Sequence, residues 1–327
     1  MRGGLCCATD RGRRVLEALA SVDDLELVVA SFREESWEPP FLDEIRAGAE
    51  RADAPFFETR RLATVADDFF ADPVDVLLCV SWRYLIPRSV YERATRGGFT
   101  MHDSLLPAYR GFSPTVWAMI NGEPRTGVTL LQMVEDVDAG DVFAQRDVEI
   151  GPDDDIADVI ERVTGAYVEM ATEQIPALLD GALVGQPQAH EGATFTTKLG
   201  PDDFVIDWSW PSQRIHDLVR ATTRPYAGAR TTFDGRPLLV WRTRLEVDPP
   251  NHVGAVIGRY AGATTDGAVR IITGDGSILV TEVEDEDGGV RPAAEVLTSV
   301  ASTLGSERTI RAQHPGSITA HRPRPID

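Results

Sequence analysis

Residues 100–111 read TMHDSLLPAYRG and residues 133–145 read MVEDVDAGDVFAQ, and the fold can be predicted outward from these two stretches. His102 ends an apolar segment, residues 98–102, that is typical of a buried strand. Asp138 lies in a tight acidic turn between two further predicted strands. A His and an Asp at neighbouring strand ends can form an imidazole–carboxylate pair that handles protons. A histidine at a strand end also serves structural roles, so these residues alone leave both interpretations open.

Short apolar segments alternate with helical segments on the N-terminal side of this stretch. The helix after Thr9 and Asp10 carries Val15, Leu16 and Leu19 at helical spacing. This alternation predicts an α/β domain with a mostly parallel sheet and helices on both faces. In such open sheets the active site lies beyond the carboxyl ends of the strands. No G-x-G-x-x-G motif follows the first strand, so a dinucleotide is not expected. The predicted strands are residues 4–8, 25–30, 74–80 and 98–102, and one predicted helix is residues 43–51.

The sequence changes in character from Val205 onward. Short apolar runs separated by Asp-Gly and other Gly-containing turns predict a β-rich module. Residues 180–203, rich in Gly, Thr and Gln, are typical of a linker. We therefore predict a catalytic domain over residues 1–200, a β domain over residues 205–312 and a flexible tail over residues 313–327.

The chain of 327 residues is acidic, with 52 Asp and Glu against 32 Lys and Arg and a net charge of −20. Lys198 is its single lysine. This balance indicates a halophilic protein, because dense carboxylates keep a protein hydrated at high salt. A GC-rich genome that favours Arg and Asp codons is the alternative explanation. The charge argues against a general nucleic-acid binder, which needs clustered Lys and Arg.

The cysteines predict no metal or redox site. Cys6, Cys7 and Cys79 lack metal-like spacing, and Cys6 and Cys79 lie in apolar runs, so we expect core positions. No set of His, Cys and carboxylate residues has zinc spacing, and no metal is expected. The sequence has no leader-like segment and no uninterrupted apolar run of about 18 residues. We therefore predict a cytoplasmic protein with no membrane segment.

The motifs around His102 closely resemble those of the folate-dependent formyltransferase family, whose members use 10-formyltetrahydrofolate as formyl donor. The family carries an Asn-x-His pair, then S-L-L-P-x-Y/W-R-G, then T-G-V-T and an Asp in a D-x-G turn. His102 and residues 104–111, 126–129 and 138–140 match this pattern, and further matches extend over residues 1–245. The resemblance implies a Rossmann-like N-terminal domain and a smaller OB-like C-terminal domain.

The resemblance also implies a role for each site residue. His102 would contact the formyl or oxyanion oxygen, and Asp138 would orient that imidazole and help to take the amine proton. The folate would bind at the loop after the fourth strand and at the acidic turn, and the acceptor at the motif after His102. The implied folate-binding residues are Trp82, Arg83, Tyr84, Leu85, Ile86 and Asp136, and the implied acceptor-binding residues are Ser104, Tyr109, Arg110 and Gly111.

The chain departs from the family pattern at Thr100, where the family has Asn. That Asn usually donates to the oxyanion, and loss of one such donor costs roughly 10²–10³ in rate. Thr100 offers one hydroxyl on a shorter arm, so we expect it to recover part of the stabilisation. The substitution also leaves open a catalytically weakened homologue that binds folate or sugar.

The loop after the second strand bears on the acceptor amine. Members of the family formylate nucleotide-linked amino sugars, methionyl-tRNA or a purine intermediate, and the tRNA enzymes rely on a basic loop at this place. Residues 31–40 carry one Arg against three Glu and would repel an acceptor stem at ordinary salt.

Two further features favour a sugar nucleotide as the acceptor. Residues 114–117 and 121–123 resemble the amino-sugar enzymes. Arg110 could pair with a sugar-nucleotide phosphate, or form a surface ion pair instead. A sugar nucleotide is the expected acceptor and methionyl-tRNA the alternative, while the oligomeric state, monomer or homodimer, is left open.

Overall fold

The computed structural model describes residues 1–36, 38–254, 256–301 and 303–305. The chain divides into two compact units. The first consists of residues 1–118, 123–152 and 158–198, and the second of residues 119–122 and 153–157 and the described residues from Leu199 onward. The predicted tail, residues 313–327, lies outside the described residues.

The first unit is built on a seven-stranded sheet in the order β3-β2-β1-β4-β5-β7-β8. The strands from β3 to β5 are parallel to their neighbours, whereas β7 and β8 are antiparallel. This confirms the predicted mostly parallel sheet. The strands are β1 (Arg2–Cys7), β2 (Glu26–Ser31), β3 (Phe56–Glu58), β4 (Val76–Val80), β5 (Gly98–His102), β6 (Arg110–Gly111), β7 (Arg125–Gln132), β8 (Val142–Glu149) and β9 (Phe195–Thr196), of which β6 and β9 form a separate small pair.

Helices connect these strands. The apolar stripe of α1 is buried at Val15, Leu16 and Leu19, as its spacing predicts. A Cβ on Gly12 would lie 2.9 Å from the Cβ of Cys7, so glycine allows this helix to approach β1 closely. The helices are α1 (Thr9–Leu19), α2 (Leu42–Arg51), α3 (Ala66–Phe69), α4 (Arg88–Tyr91), α5 (Pro114–Ile120) and α6 (Ile156–Leu179), with a short 3₁₀ turn at Leu62–Thr64.

The central strands are buried along nearly their whole length, as is typical of a parallel sheet covered by helices. Cys6 and Cys79 are direct neighbours on β1 and β4, and both are buried, as is Cys7. Burial raises the pKa of the Cys6 and Cys7 thiols. The prediction that the three cysteines lie in the core is confirmed.

The second unit contains an antiparallel sheet in the order β10-β11-β14-β13-β12, with β15 beside β14. The buried side chains of β11, β13 and β14 form its core. The predicted β-rich C-terminal module is therefore confirmed. Its elements are a 3₁₀ turn (Pro201–Phe204), α7 (Ser212–Thr222), β10 (Ala229–Phe233), β11 (Arg236–Arg244), β12 (Tyr260–Ala263), β13 (Val269–Ile272), β14 (Ser277–Glu284), β15 (Arg291–Pro292) and α8 (Ala293–Val296).

Within the part of the chain that the structure describes, every helix is too short or too polar to cross a membrane.

Candidate active site

The carboxyl end of β5 and the turn between β7 and β8 meet at His102 and Asp138. The Nδ1 atom of His102 lies 3.7 Å from Oδ2 of Asp138, and the two side chains are 10% and 11% exposed. The other ring nitrogen, Nε2, lies 2.8 Å from the carbonyl oxygen of Tyr109. The structure thus brings together the histidine and the carboxylate that the sequence singles out, in a largely desolvated place where charges interact strongly.

The Asp138 carboxylate is held by backbone geometry. Its Oδ2 accepts a hydrogen bond of 2.8 Å from the N–H of Gly111. Asp138 itself has a φ of +57°, an uncommon conformation for a residue with a side chain. Gly140 completes the turn, and any Cβ there would overlap the carbonyl oxygen of Gln132. The short D-x-G turn is therefore what aims Asp138 at His102.

The loop after His102 is braced from β7 and β8. The Thr129 hydroxyl donates to the carbonyl of Ser104 at 2.6 Å, and Gln145 donates to the carbonyl of Leu106 at 2.8 Å. Ser104 is buried, and its hydroxyl donates to the carbonyl of Ala108 at 2.7 Å. In this arrangement the Ser104 hydroxyl shapes the loop, and its implied contact with the acceptor stays a prediction.

Arg110 and Tyr109 are likewise engaged within the protein. Arg110 is 5% exposed, and its guanidinium donates to Oε1 of Gln188 at 3.2 and 2.7 Å. Tyr109 donates its hydroxyl to Glu123 at 2.8 Å. The Arg110 side chain is therefore directed into the protein, and its guanidinium is not exposed on the surface. The pairing with a sugar-nucleotide phosphate stays a prediction.

Thr100 lies two residues before His102 on the same strand, and therefore on the same face of the sheet. Its hydroxyl donates to the carbonyl oxygen of Cys79 on β4, at 3.4 Å. The hydroxyl proton that we expected to serve an oxyanion is directed at the neighbouring strand.

The loop after β4 carries the predicted folate-binding residues. Trp82, Tyr84 and Phe32 form a cluster of edge-to-face rings, with centroids 4.9 to 6.1 Å apart. The Arg83 guanidinium stacks over Phe32 and pairs with Glu38 at 2.7 Å. Leu85 and Asp136 are exposed, whereas Ile86 is buried in the core. Trp82 has a buried Nε1 with no hydrogen-bond partner among the described residues.

Sequence reasoning missed a charged group directly after His102. Asp103 accepts a hydrogen bond of 2.7 Å from Arg11 and another from the hydroxyl of Tyr167. Burial acts to raise the pKa of Asp103, but the Arg11 charge and the Tyr167 hydroxyl outweigh it, so the pKa lies below its usual value. Burial and the Asp103 charge raise the pKa of Tyr167. These three side chains lie far apart in the sequence, so no local motif indicates them.

Several residues of the segment 180–203, which the sequence indicates as a linker, are hydrogen-bonded to neighbouring elements of the fold. Strand β9 pairs with Arg110 and Gly111, and Gln186 forms an antiparallel bridge with Val142. The side chain of Thr194 accepts from the N–H of Tyr109 at 2.8 Å. The chain there lacks regular periodicity, but β9 and Thr194 are hydrogen-bonded to the loop after His102.

The comparisons of this sequence with known proteins agree on one family. Residues 46–175 match the formyl transferase family, and residues 198–301 match its C-terminal domain. A methionyl-tRNA formyltransferase of Listeria monocytogenes is 30% identical over 277 residues, which cover 82% of this chain and 86% of that protein.

Solved structures share the fold at lower identity. WlaRD, a sugar 3N-formyl transferase determined in the presence of dTDP and 5-N-formyl-THF, has a TM-score of 0.63 at 15% identity, covering 86% of this chain and 97% of that one. HypX from Aquifex aeolicus in complex with tetrahydrofolic acid has a TM-score of 0.61 at 20% identity, covering 91% of this chain. This chain spans about half the length of HypX, 46%. Because both family models match and a relative is 30% identical over 82% of this chain, the chain belongs to the formyltransferase family.

Proposed function

We propose that the protein transfers the formyl group of 10-formyltetrahydrofolate to a primary amine. In this reaction the amine nitrogen bonds to the formyl carbon and the bond from that carbon to N10 breaks. One proton leaves the amine and one reaches N10, so the protein must hold a proton between the two events. The observation that carries the proposal is the desolvated His102–Asp138 pair, which provides a proton-accepting nitrogen beside a carboxylate.

The loop after β4 supports a folate at this site. Its ring cluster with Phe32 and its exposed Leu85 offer an apolar surface for a planar heterocycle. The buried Nε1 of Trp82 is a donor that lacks a protein partner among the described residues, and buried donors normally have one. Bound folate would supply the activated formyl group, and the exposed Asp136 would face it from the acidic turn.

A nucleotide-linked amino sugar is the acceptor class that we propose. The loop after β2, residues 31–40, is negatively charged at the place where a tRNA enzyme needs a basic surface. Burial acts against the charge of Glu34, but its own backbone N–H and those of Leu42 and Phe41 bind its carboxylate and lower its pKa. Arg33, the single basic residue in residues 31–40, has carboxylates of Asp43 and Glu58 within 3.6 Å. An RNA backbone with many phosphates is disfavoured there.

Methionyl-tRNA is the second candidate, because relatives of that name match this chain over most of its length and through both domains. A third candidate is a homologue that binds folate with little turnover. Its support is Thr100, which stands where the family has Asn.

A panel assay separates these candidates. The purified protein is mixed with 10-formyltetrahydrofolate and, in turn, with nucleotide-linked 3-amino and 4-amino sugars, with methionyl-tRNA and with no acceptor, at low and at molar KCl. We expect tetrahydrofolate to form only with an amino sugar. Turnover with methionyl-tRNA alone would reverse the acceptor assignment, and folate binding without turnover by any acceptor would support the binding homologue.

A further inference from the structure

Gln188 forms a bridge between the two loops that make the catalytic pair. Its side chain lies between the buried guanidinium of Arg110 and the turn that carries Asp138. The amide Oε1 accepts from Nε and Nη2 of Arg110 at 3.2 and 2.7 Å. The amide Nε2 donates to the carbonyl oxygens of Asp138 and Gly140 at 2.8 and 2.7 Å. All four contacts satisfy the geometry of good hydrogen bonds.

The orientation of this amide is determined chemically. A guanidinium only donates, so Oε1 must face Arg110. Two carbonyl oxygens only accept, so Nε2 must face Asp138 and Gly140. A hydrogen bond from a charged donor polarises the amide and strengthens the donation at its other end. The Arg110 charge therefore acts on the Asp138 turn through Gln188.

The contacts close into a ring. Arg110 binds Gln188, Gln188 binds the backbone of Asp138, and the Asp138 carboxylate accepts from the N–H of Gly111, the residue next to Arg110. Gly111 has a φ of +109° and sits where any Cβ would overlap the carbonyl oxygen of Thr196. Because each member is fixed from two sides, the ring determines where the carboxylate stands relative to His102.

We propose that Gln188 is a positioning residue for Asp138, and that Arg110 acts on catalysis through it rather than by binding the acceptor. The proposal rests on the proposed formyl transfer, in which the His102–Asp138 geometry matters. Gln188 lies well outside the motifs around His102 and acts without touching the reacting atoms. A small displacement of a reacting group costs up to roughly 100-fold in rate, so support of this kind is kinetically visible.

Three variants test the proposal. Gln188→Glu keeps an acceptor for Arg110 but removes the donor to the turn, and Gln188→Met removes both. Gln186→Met is the matched control, because Gln186 lies on the same segment with an exposed side chain and contacts Val142 through its backbone. The measurements are kcat, the KM for 10-formyltetrahydrofolate, the melting temperature and the ring signals of His102 by NMR with labelled histidine.

We expect kcat to fall about 10- to 100-fold in both Gln188 variants, with the KM for folate changed less than about twofold. Gln188→Glu should melt close to the wild type, since the Arg110 contact remains, and the His102 ring signals should move in both variants. Gln186→Met should match the wild type throughout. If Gln188→Met does not fold, Gln188→Glu decides the question.

Wild-type kcat in Gln188→Glu, or an equal loss in Gln186→Met, would overturn the proposal. So would a defect confined to KM. Failure of the proposed function is recognised separately, since the wild type would then show no formyl transfer. In that case the NMR signals of His102 still test whether Gln188 positions Asp138 beside the ring. Unchanged signals in Gln188→Met would overturn the proposal.

Discussion

The Nε2 atom of His102 donates to the carbonyl oxygen of Tyr109 across 2.8 Å, and this contact leaves the other ring nitrogen to accept a proton in the proposed reaction. Because a carbonyl oxygen only accepts, Nε2 carries a proton in both charge states of the ring. Nδ1 is then the atom that gains or loses a proton, and it is the nitrogen that faces Asp138. Tyr109 presents its carbonyl from a φ of +60°, so the backbone of the loop fixes the tautomer.

The pair should therefore act as a unit. Asp138→Asn keeps an oxygen for the Gly111 N–H but removes the charge that stabilises a protonated ring. We expect this variant to lose roughly 10³ or more in kcat. His102→Gln can still donate to the carbonyl of Tyr109, and we expect the same loss in kcat. The double variant should be little slower than either single one, as steady-state kinetics will show. Glu135→Gln, an exposed carboxylate near the same turn, serves as control. Additive losses would contradict the pairing.

Thr100 supplies a second prediction. Its hydroxyl donates to Cys79, so Thr100→Val should change kcat by less than about threefold. Thr100→Asn introduces an amide on the same face of β5 as His102 and should raise kcat, with a ceiling of roughly 10²–10³. The KM for folate should change little. A slower Thr100→Asn enzyme would show that this position does not serve the oxyanion.

The group around Asp103 predicts a pH-dependent contribution to stability. The pKa of Asp103 is lowered in the folded state, so its stabilisation is present above the unfolded value and is lost as the pH falls through the folded value. Asp103→Asn should reduce the free energy of unfolding by about 2 kcal/mol at pH 7, with the difference shrinking below about pH 4.

Urea unfolding at several pH values measures this difference. As the comparison, Asp72→Asn removes a carboxylate that is 67% exposed and pairs with Arg2, and it should cost less than about 1 kcal/mol. A wild-type-like Asp103→Asn protein would show that the Arg11 contact contributes nothing to stability.

The thiols should be inert in the native protein. Cys6, Cys7 and Cys79 are at most 4% exposed, and burial raises the pKa of Cys6 and Cys7, which suppresses the reactive thiolate. Titration with an aromatic disulfide should find no fast thiol without denaturant and three with it. A thiol that reacts rapidly in the folded protein would contradict this, as would inactivation by the reagent.

The sequence predicts those features that depend on local pattern. The predicted strand, residues 98–102, has the same bounds as β5, because a short apolar run between Gly98 and His102 favours a buried strand. The buried face of α1 follows from helical spacing. The meeting of His102 and Asp138 also follows from strand ends in an open sheet, once the turn is identified.

Features that depend on long-range contacts could not be predicted in this way. Residue type alone leaves Arg110 open to a phosphate contact or a surface ion pair, because it does not show that the side chain is buried. Its partner Gln188 lies in a segment without periodicity, so no pattern indicates the contact. Two-residue strands such as β6 and β9 form only because the rest of the fold presents their edges to each other. The Asp103 group depends in the same way on residues from two distant helices.

The most direct measurement follows a labelled formyl group. The protein is given 10-formyltetrahydrofolate with a ¹³C-formyl group together with a nucleotide-linked amino sugar, and the products are analysed by mass spectrometry. We predict one labelled formyl group on the sugar amine with the wild type and essentially none with Asp138→Asn. An unlabelled sugar with the wild type, or equal labelling by Asp138→Asn, would contradict transfer through the His102–Asp138 pair.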